Sequence, residues 1–383
     1  MLKIPAINQP LSLLSVVLLC LAGCATTQND AVEHKHSENL TQPLPPVQPP
    51  QIPANQYGKM SIVHVGGNDT FAITPDGRSA GNLLFKALTK NDKHAALQAI
   101  EVWNKIIPKE NYGGEYTALQ WFANYFVAEK TVQKKMLEDP FVAQFFHFFA
   151  DNRYSVLKEY LKRKYHTQDI GDEETFFGQT RKALLEDTIL FNNPRREEWE
   201  KTSKFMEFID LKPGQTVADL GSGPGYFTFR FARKVGPSGK VYAIDTVEAH
   251  LKNVTHTAKK TAIKNVEVVH TDGRTVGLAN KKVDAVFMCS LYHNIYAMST
   301  EVERTELVES VKNALNDEGV LYLLDNGLVP PNTLPYHGPY IDKELLITQL
   351  SAYGFKLIAN QQPIPQRYLL AFKKEPSAAI KTN

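Results

Sequence analysis

The chain has 383 residues, long enough for two domains and a sizeable buried core. Its 43 Lys+Arg against 41 Asp+Glu leave a formal net charge of +2, so no broad field draws it to polyphosphate or anionic lipid, and nucleic acid is not expected as a partner. Of three cysteines, Cys20 and Cys24 lie near the N-terminus, which leaves Cys289 as the only thiol of the folded part and excludes an internal disulfide there.

The first residues read as an export leader. Lys3 gives a weakly basic start, Leu11–Leu21 (LSLLSVVLLCL) is an apolar run too short to span a bilayer, and small residues surround Cys24. Leu21-Ala22-Gly23-Cys24 resembles a bacterial lipobox, which implies removal of residues 1–23 and acylation of the Cys24 thiol. The expected location is the cell envelope, lipid-anchored, on the outer-membrane side because Ala25 is not the aspartate that retains enterobacterial lipoproteins at the inner membrane. A leader left unused would keep the chain in the cytoplasm. Residues 24–56 turn polar and then proline-rich (QPLPPVQPPQIP), a semi-extended, disordered tether. His34 and His36 on it lack further ligands, and no metal site is expected.

Residues 57–168 read as a mainly helical domain. Met60–Gly81 has strand and turn character, with SIVHV followed by Pro75-Asp76-Gly77, and suggests a small hairpin. From Asn82 to His166 apolar residues recur at three- and four-residue steps, broken by Pro108, Gly113-Gly114 and Pro140. Phe141, Phe145, Phe146, Phe148 and Phe149 fit a bundle core, with a ligand groove or membrane-facing surface as the alternatives. Residues 169–210 form an acidic and then helical lead-in through Trp199–Phe208.

In residues 211–375 strands and helices alternate. Thr216–Leu220, Val241–Asp245, Val266–His270, Val283–Met288 and Val320–Asp325 are buried-strand runs, separated by amphipathic stretches at Tyr226–Val235, Val247–Ala262 and Thr300–Leu315. A helix over Asp342–Tyr353 and strands over Phe355–Ala359 and Tyr368–Lys373 complete seven strands, the last two joined closely enough for an antiparallel hairpin. The expected fold is an α/β, Rossmann-like sheet with helices on both faces, ending in a disordered tail over residues 376–383.

The turn after the first of these strands is where such a sheet holds a ligand. It carries Asp219-Leu220-Gly221-Ser222-Gly223-Pro224-Gly225, with glycines at the first, third and fifth positions. A dinucleotide fingerprint needs the third glycine at the sixth position, which is Tyr226, and the Walker pattern lacks its Gly-Lys-Ser/Thr. Asp245, at the end of the next strand, could accept hydrogen bonds from ribose hydroxyls.

These residues resemble class I S-adenosylmethionine-dependent methyltransferases, in the group of the ubiquinone and menaquinone C-methyltransferases. Matching stretches are LKPGQTVADLGSGPGYFTFRFARKVGPSGKVYAIDT, VEVVHTDG, VDAVFMCSLYHN, ALNDEGVLYLLD and LLITQLSAYGFKLI, spread over Arg195–Lys374, roughly half the chain. The resemblance implies a seven-stranded class I methyltransferase sheet with S-adenosyl-L-methionine as cofactor. Asp219 and the Gly221, Ser222, Gly223, Gly225 loop would hold its methionine part, Asp245 the ribose and Asp272 the adenine amino group, with backbone around Cys289 and Ser290 lining the floor. Carboxylates suit a cofactor that carries an ammonium and a sulfonium but no phosphate.

Methyl transfer is an in-line displacement, and a base is needed only where the acceptor must lose a proton. His293 in LYHN and His337 in LPYHGPY both fall where the fold faces the acceptor, and either could be that base or a packing histidine. Tyr292, Asn294, Asp325 and Tyr336 are secondary candidates. The Asp/Asn-Pro-Pro-Tyr signature is absent after the fourth strand, which argues against nucleobase amines. The expected acceptor is a small molecule or an envelope component; the alternative is an inactive binding or scaffold lipoprotein with the same fold.

Overall fold

In a computed structural model of the chain, the structure describes residues 63–64, 73–108, 113–166, 183–327 and 340–375. The leader with Cys24, the whole tether region over residues 24–56, Tyr336, His337 and the tail lie outside these residues.

Of the expected hairpin over Met60–Gly81, residues 60–62 and 65–72 lie outside the described residues, and no hairpin is seen among the described ones. β1 (Val63–His64) pairs antiparallel with a distant two-residue strand, Tyr340–Ile341, and Pro75 opens α1 (Pro75–Lys90) instead of a turn. Proline is tolerated at a helix N-terminus because its missing N–H has no partner there. The Thr74 hydroxyl accepts the Gly77 N–H at 3.1 Å, so the segment caps a helix rather than reversing the chain.

α2 (Lys93–Ile106), α3 (Gly113–Val127), α4 (Lys130–Met136) and α5 (Pro140–Leu161) follow, closed by a π-helical turn over Lys162–His166. Asn91 is left-handed and Asp92 accepts from the Ala95 N–H at 3.0 Å, which ends one helix and starts the next within two residues. α5 is not the continuous helix its periodicity suggests: Asp151 is extended and Asn152, Arg153 and Tyr154 are left-handed. Phe145 and Phe149 are buried in this core with Trp103, Tyr116 and Phe122, and Phe146 and Phe148 pack against it. Phe141 leaves the cluster to meet Phe229, ring centroids 4.8 Å apart.

The lead-in is three short helices, α6 (Ala183–Phe191), α7 (Arg196–Glu200) and α8 (Thr202–Phe208). It is tied to the helical domain by Lys164 Nζ to Glu186 at 2.8 Å, and by Asn193 Nδ2 to the Gly114 carbonyl at 2.6 Å and to Thr117 Oγ1 at 2.7 Å.

The sheet domain runs β2 (Thr216–Leu220), α9 (Tyr226–Val235), β3 (Lys240–Asp245), α10 (Glu248–Lys260), β4 (Val266–His270), β5 (Val283–Cys289), α11 (Tyr292–Met298), α12 (Glu301–Ala314), β6 (Leu315–Asn326), β7 (Tyr340–Ile341), α13 (Lys343–Ala352), β8 (Phe355–Ile364) and β9 (Arg367–Lys374). The seven-stranded sheet has the order β4-β3-β2-β5-β6-β9-β8, parallel except for β9, which is antiparallel to both its neighbours. Chain direction across the sheet reverses between β2 and β5, the switch point of a doubly wound fold. Alternation along the strands divides the core. Ala218, Val286 and Leu323 face α11, α12 and α13, whereas Val217, Phe287 and Leu324 face α8 and α9.

Candidate active site

The loop after β2 turns back beside the end of β3. Gly221 and Ser222 donate their N–H groups to the Ile244 carbonyl at 2.8 and 3.0 Å. Gly223 donates to Asp245 Oδ2 at 2.7 Å, and Val247 donates to Asp245 Oδ1 at 2.8 Å. Asp245 is 4% exposed, so both of its oxygens are fixed by backbone donors at the carboxyl edge of the sheet. Gly225 is left-handed at φ +100°, and a Cβ there would lie 2.8 Å from Phe229 Cε2, so the turn into α9 requires glycine. Gly223 is left-handed at φ +53°, yet a Cβ there would meet nothing within 4 Å, which leaves open space above the loop.

Asp219 lies under the loop at 2% exposure and accepts from the Thr228 hydroxyl at 2.5 Å. Burial drives its carboxyl pKa up to about 7, against the lowering effect of that hydroxyl. Two buried hydroxyls beside the loop, Ser222 Oγ and Thr246 Oγ1, have no hydrogen-bond partner among the described residues. Unpartnered buried hydroxyls are costly, and an open cradle ringed by them and by Asp219 and Asp245 fits a polar ligand with an amino-acid end and a ribose. The residues present thus fit S-adenosylmethionine. Asp272, beyond the end of β4, is exposed, and its Oδ1 accepts from the Arg274 N–H at 2.9 Å in a local turn.

Across the switch point, Ser290 follows β5 in a left-handed conformation, φ +50°, and donates its N–H to the Leu324 carbonyl at 2.8 Å. His293, 3% exposed, places Nδ1 2.6 Å from Asp325 Oδ1, and its backbone N–H donates to Asp325 Oδ2 at 3.2 Å. A carboxylate on Nδ1 selects the tautomer whose Nε2 carries the lone pair, the arrangement a general base requires. Asp325 therefore has a definite role in holding His293. Tyr292 donates to Gln349 Oε1 at 2.8 Å, and Asn294 to the Ser290 carbonyl at 3.3 Å, both packing contacts.

A buried ion cluster closes the β6–β9 side. Arg196 grips Glu200 through Nε at 2.5 Å and Nη2 at 2.7 Å, while Arg367 lies 3.3 Å from the same carboxylate. Arg367 also donates to Ser290 Oγ at 2.8 Å, Asn326 Oδ1 at 2.6 Å and Cys289 Sγ at 3.0 Å. Burial alone would raise Glu200's pKa; the two arginines outweigh it and hold the carboxyl below its usual range. Burial pushes the Cys289 thiol up, so it packs as a neutral thiol. No sequence pattern marked this cluster, because Arg196, Glu200 and Arg367 belong to segments that meet only in the fold.

The seven-stranded sheet and its glycine loop have the Rossmann-like arrangement of a class I methyltransferase fold. In agreement, residues 211–335 match a protein family described as a methyltransferase domain. A protein-L-isoaspartate O-methyltransferase of Methanococcus maripaludis is 30% identical over 115 residues, covering 30% of this chain and 49% of that protein. An arsenite methyltransferase of Halobacterium salinarum is 38% identical over 60 residues, 16% of this chain and 15% of the relative. The chain thus spans about half or less of the length of these curated relatives. Among solved structures, a SAM-dependent methyltransferase from Aquifex aeolicus is similar with a TM-score of 0.42 and 24% identity, over 50% of this chain and 98% of that one.

Proposed function

We propose that the chain is a methyltransferase of the cell envelope, anchored through Cys24, that moves a methyl group from S-adenosylmethionine to a small-molecule or envelope acceptor. The observation that carries the reading is the pairing, across one switch point, of an open loop edged by Asp245 and unpartnered hydroxyls with a His293–Asp325 pair. When bound, the cofactor supplies a methyl group on a good leaving group. Asp219, Asp245 and the Gly221–Gly225 loop orient it. His293 Nε2 accepts a proton from the acceptor, and Asp325 stabilises the imidazolium that results. The leader supports the envelope assignment, and both cofactor and acceptor must then be present on that side of the membrane. Similarity to the isoaspartate O-methyltransferases adds a protein carboxylate to the acceptors worth screening.

Calorimetric titration of S-adenosylmethionine and S-adenosylhomocysteine into the protein tests the cofactor. Saturable binding, lost in Asp245→Ala, is expected; no binding at millimolar ligand overturns the reading. With an acceptor in hand, His293→Gln should lower labelled-methyl transfer by about 10²-fold or more without altering cofactor affinity.

A further inference from the structure

We propose that α6, the first helix of the sheet domain's lead-in, is itself part of the cofactor site: the Thr188 hydroxyl and Asn192 side-chain oxygen bind the amino-acid end, and an Asp187–His250 pair positions Asp245. The inference rests on the cofactor reading given above.

Besides Ser222 and Thr246, Thr188 Oγ1 and Asn192 Oδ1 are buried without a hydrogen-bond partner among the described residues. Three of these four oxygens belong to residues in or next to one loop, and the fourth, on Thr188, is a helical turn away from one of them. Ser222 is in it, and Thr246 follows Asp245, whose carboxylate holds Gly223. Asn192 reaches it directly, Nδ2 donating to the Pro224 carbonyl at 3.0 Å. Thr188, 1% exposed, lies one helical turn before Asn192, and its carbonyl accepts the Asn192 N–H at 3.1 Å, so both project from the same face of α6. A hydroxyl donor and an amide oxygen acceptor match the carboxylate and ammonium of an amino acid.

The neighbouring residue ties the helix to the ribose side. Asp187 Oδ2 is 3.1 Å from His250 Nε2, and His250 Nδ1 is 3.5 Å from Asp245 Oδ1. His250 is 4% exposed, so its ring is a buried bridge between α6 and the carboxylate that organises the loop. Burial would lower its pKa, but the two carboxylates raise it to about 9 and keep the bridge cationic at neutral pH.

The test compares S-adenosylhomocysteine with 5′-methylthioadenosine, which lacks the amino-acid end, by calorimetry on the full chain. Thr188→Val should weaken S-adenosylhomocysteine about tenfold, the size of one hydrogen bond, and leave 5′-methylthioadenosine unchanged. Its ligand-free Tm should not fall, because the substitution removes only an unpartnered hydroxyl. Thr188→Ser, which keeps the hydroxyl, should restore affinity. Asp187→Asn should weaken both ligands, since both carry the ribose. Wild-type affinity in Thr188→Val, or a lowered Tm that accounts for its loss, overturns the inference. Failure of the wild type to bind S-adenosylhomocysteine overturns instead the cofactor reading beneath it.

Discussion

His250 makes the loop's carboxylate sensitive to pH. Its pKa rises from 6.5 to about 9 because Asp187 and Asp245 outweigh the effect of burial. A folded-state pKa above the unfolded one adds stability that is fully present below about pH 6.5 and is lost as pH rises toward 9. Asp219, raised from 3.8 to about 7 by burial, acts with the same sign in a lower window, its contribution lost as pH rises through 7. Asp187→Asn removes one of the two anions on His250 and leaves Asp219 untouched. Between pH 6.5 and 9 the unfolding free energy of the wild type should therefore fall on the order of 2 kcal/mol further than that of Asp187→Asn. Urea titrations at a series of pH values measure it, and parallel curves for the two proteins would contradict the assignment.

At the scale of elements, two glycines two residues apart have opposite reasons to be glycine. Gly225→Ala drives a Cβ to 2.8 Å from Phe229 Cε2 and 3.1 Å from Val254 Cγ2 at φ +100°, in the packed seam between α9 and α10. It should cost roughly 2–4 kcal/mol of stability. Gly223→Ala places its methyl in open space at φ +53°, so it should cost only about 1 kcal/mol. It should nevertheless abolish S-adenosylhomocysteine binding, since that space is the cradle. Thermal unfolding and calorimetry on both variants separate the two, and a Gly223→Ala protein that binds normally would place the ligand elsewhere. The loop and all seven strands were legible in the sequence because a buried parallel strand is a short apolar run, and the loop glycines answer to local sterics. The amphipathic stretch Thr300–Leu315 likewise marked α12, which the structure shows to begin with a Thr300–Glu303 capping box. The start of α1 was misread because Pro75-Asp76-Gly77 serves a turn and a first helical turn equally, and only the Thr74 cap decides. The left-handed break in α5 leaves the apolar periodicity on either side intact, so the pattern passed over it. Thr188, Asn192 and the Asp187–His250 pair left no signal, because their roles arise from contacts between segments distant in sequence.

At the scale of the whole molecule, the helical domain and the sheet have separate cores joined through α6 and through the Phe141–Phe229 contact. Lys164 is the junction: Nζ lies 2.5 Å from Glu115 on α3 and 2.8 Å from Glu186 on α6, and side chains of Lys164 and Glu115 are each 7% exposed. Tyr160 donates to Glu186 and Tyr165 to Glu115, so both carboxylates are held from the same segment. Removing the cation leaves a buried carboxylate without its countercharge, a loss of about 3 kcal/mol that falls on the link between the cores. If α6 closes on the cofactor, this link carries ordering of the loop into α3 of the helical domain. In the wild type, S-adenosylhomocysteine should therefore slow amide hydrogen exchange in α6 and α3 as well as in β2, the glycine loop and α10. In Lys164→Met the protection of α3 should be lost while that of the loop persists, since Asp245 and Gly223 are untouched. Protection confined to α6 and residues 216–262 in the wild type would mean that the helical domain is a passive neighbour of the site, and that α6 alone carries its contribution.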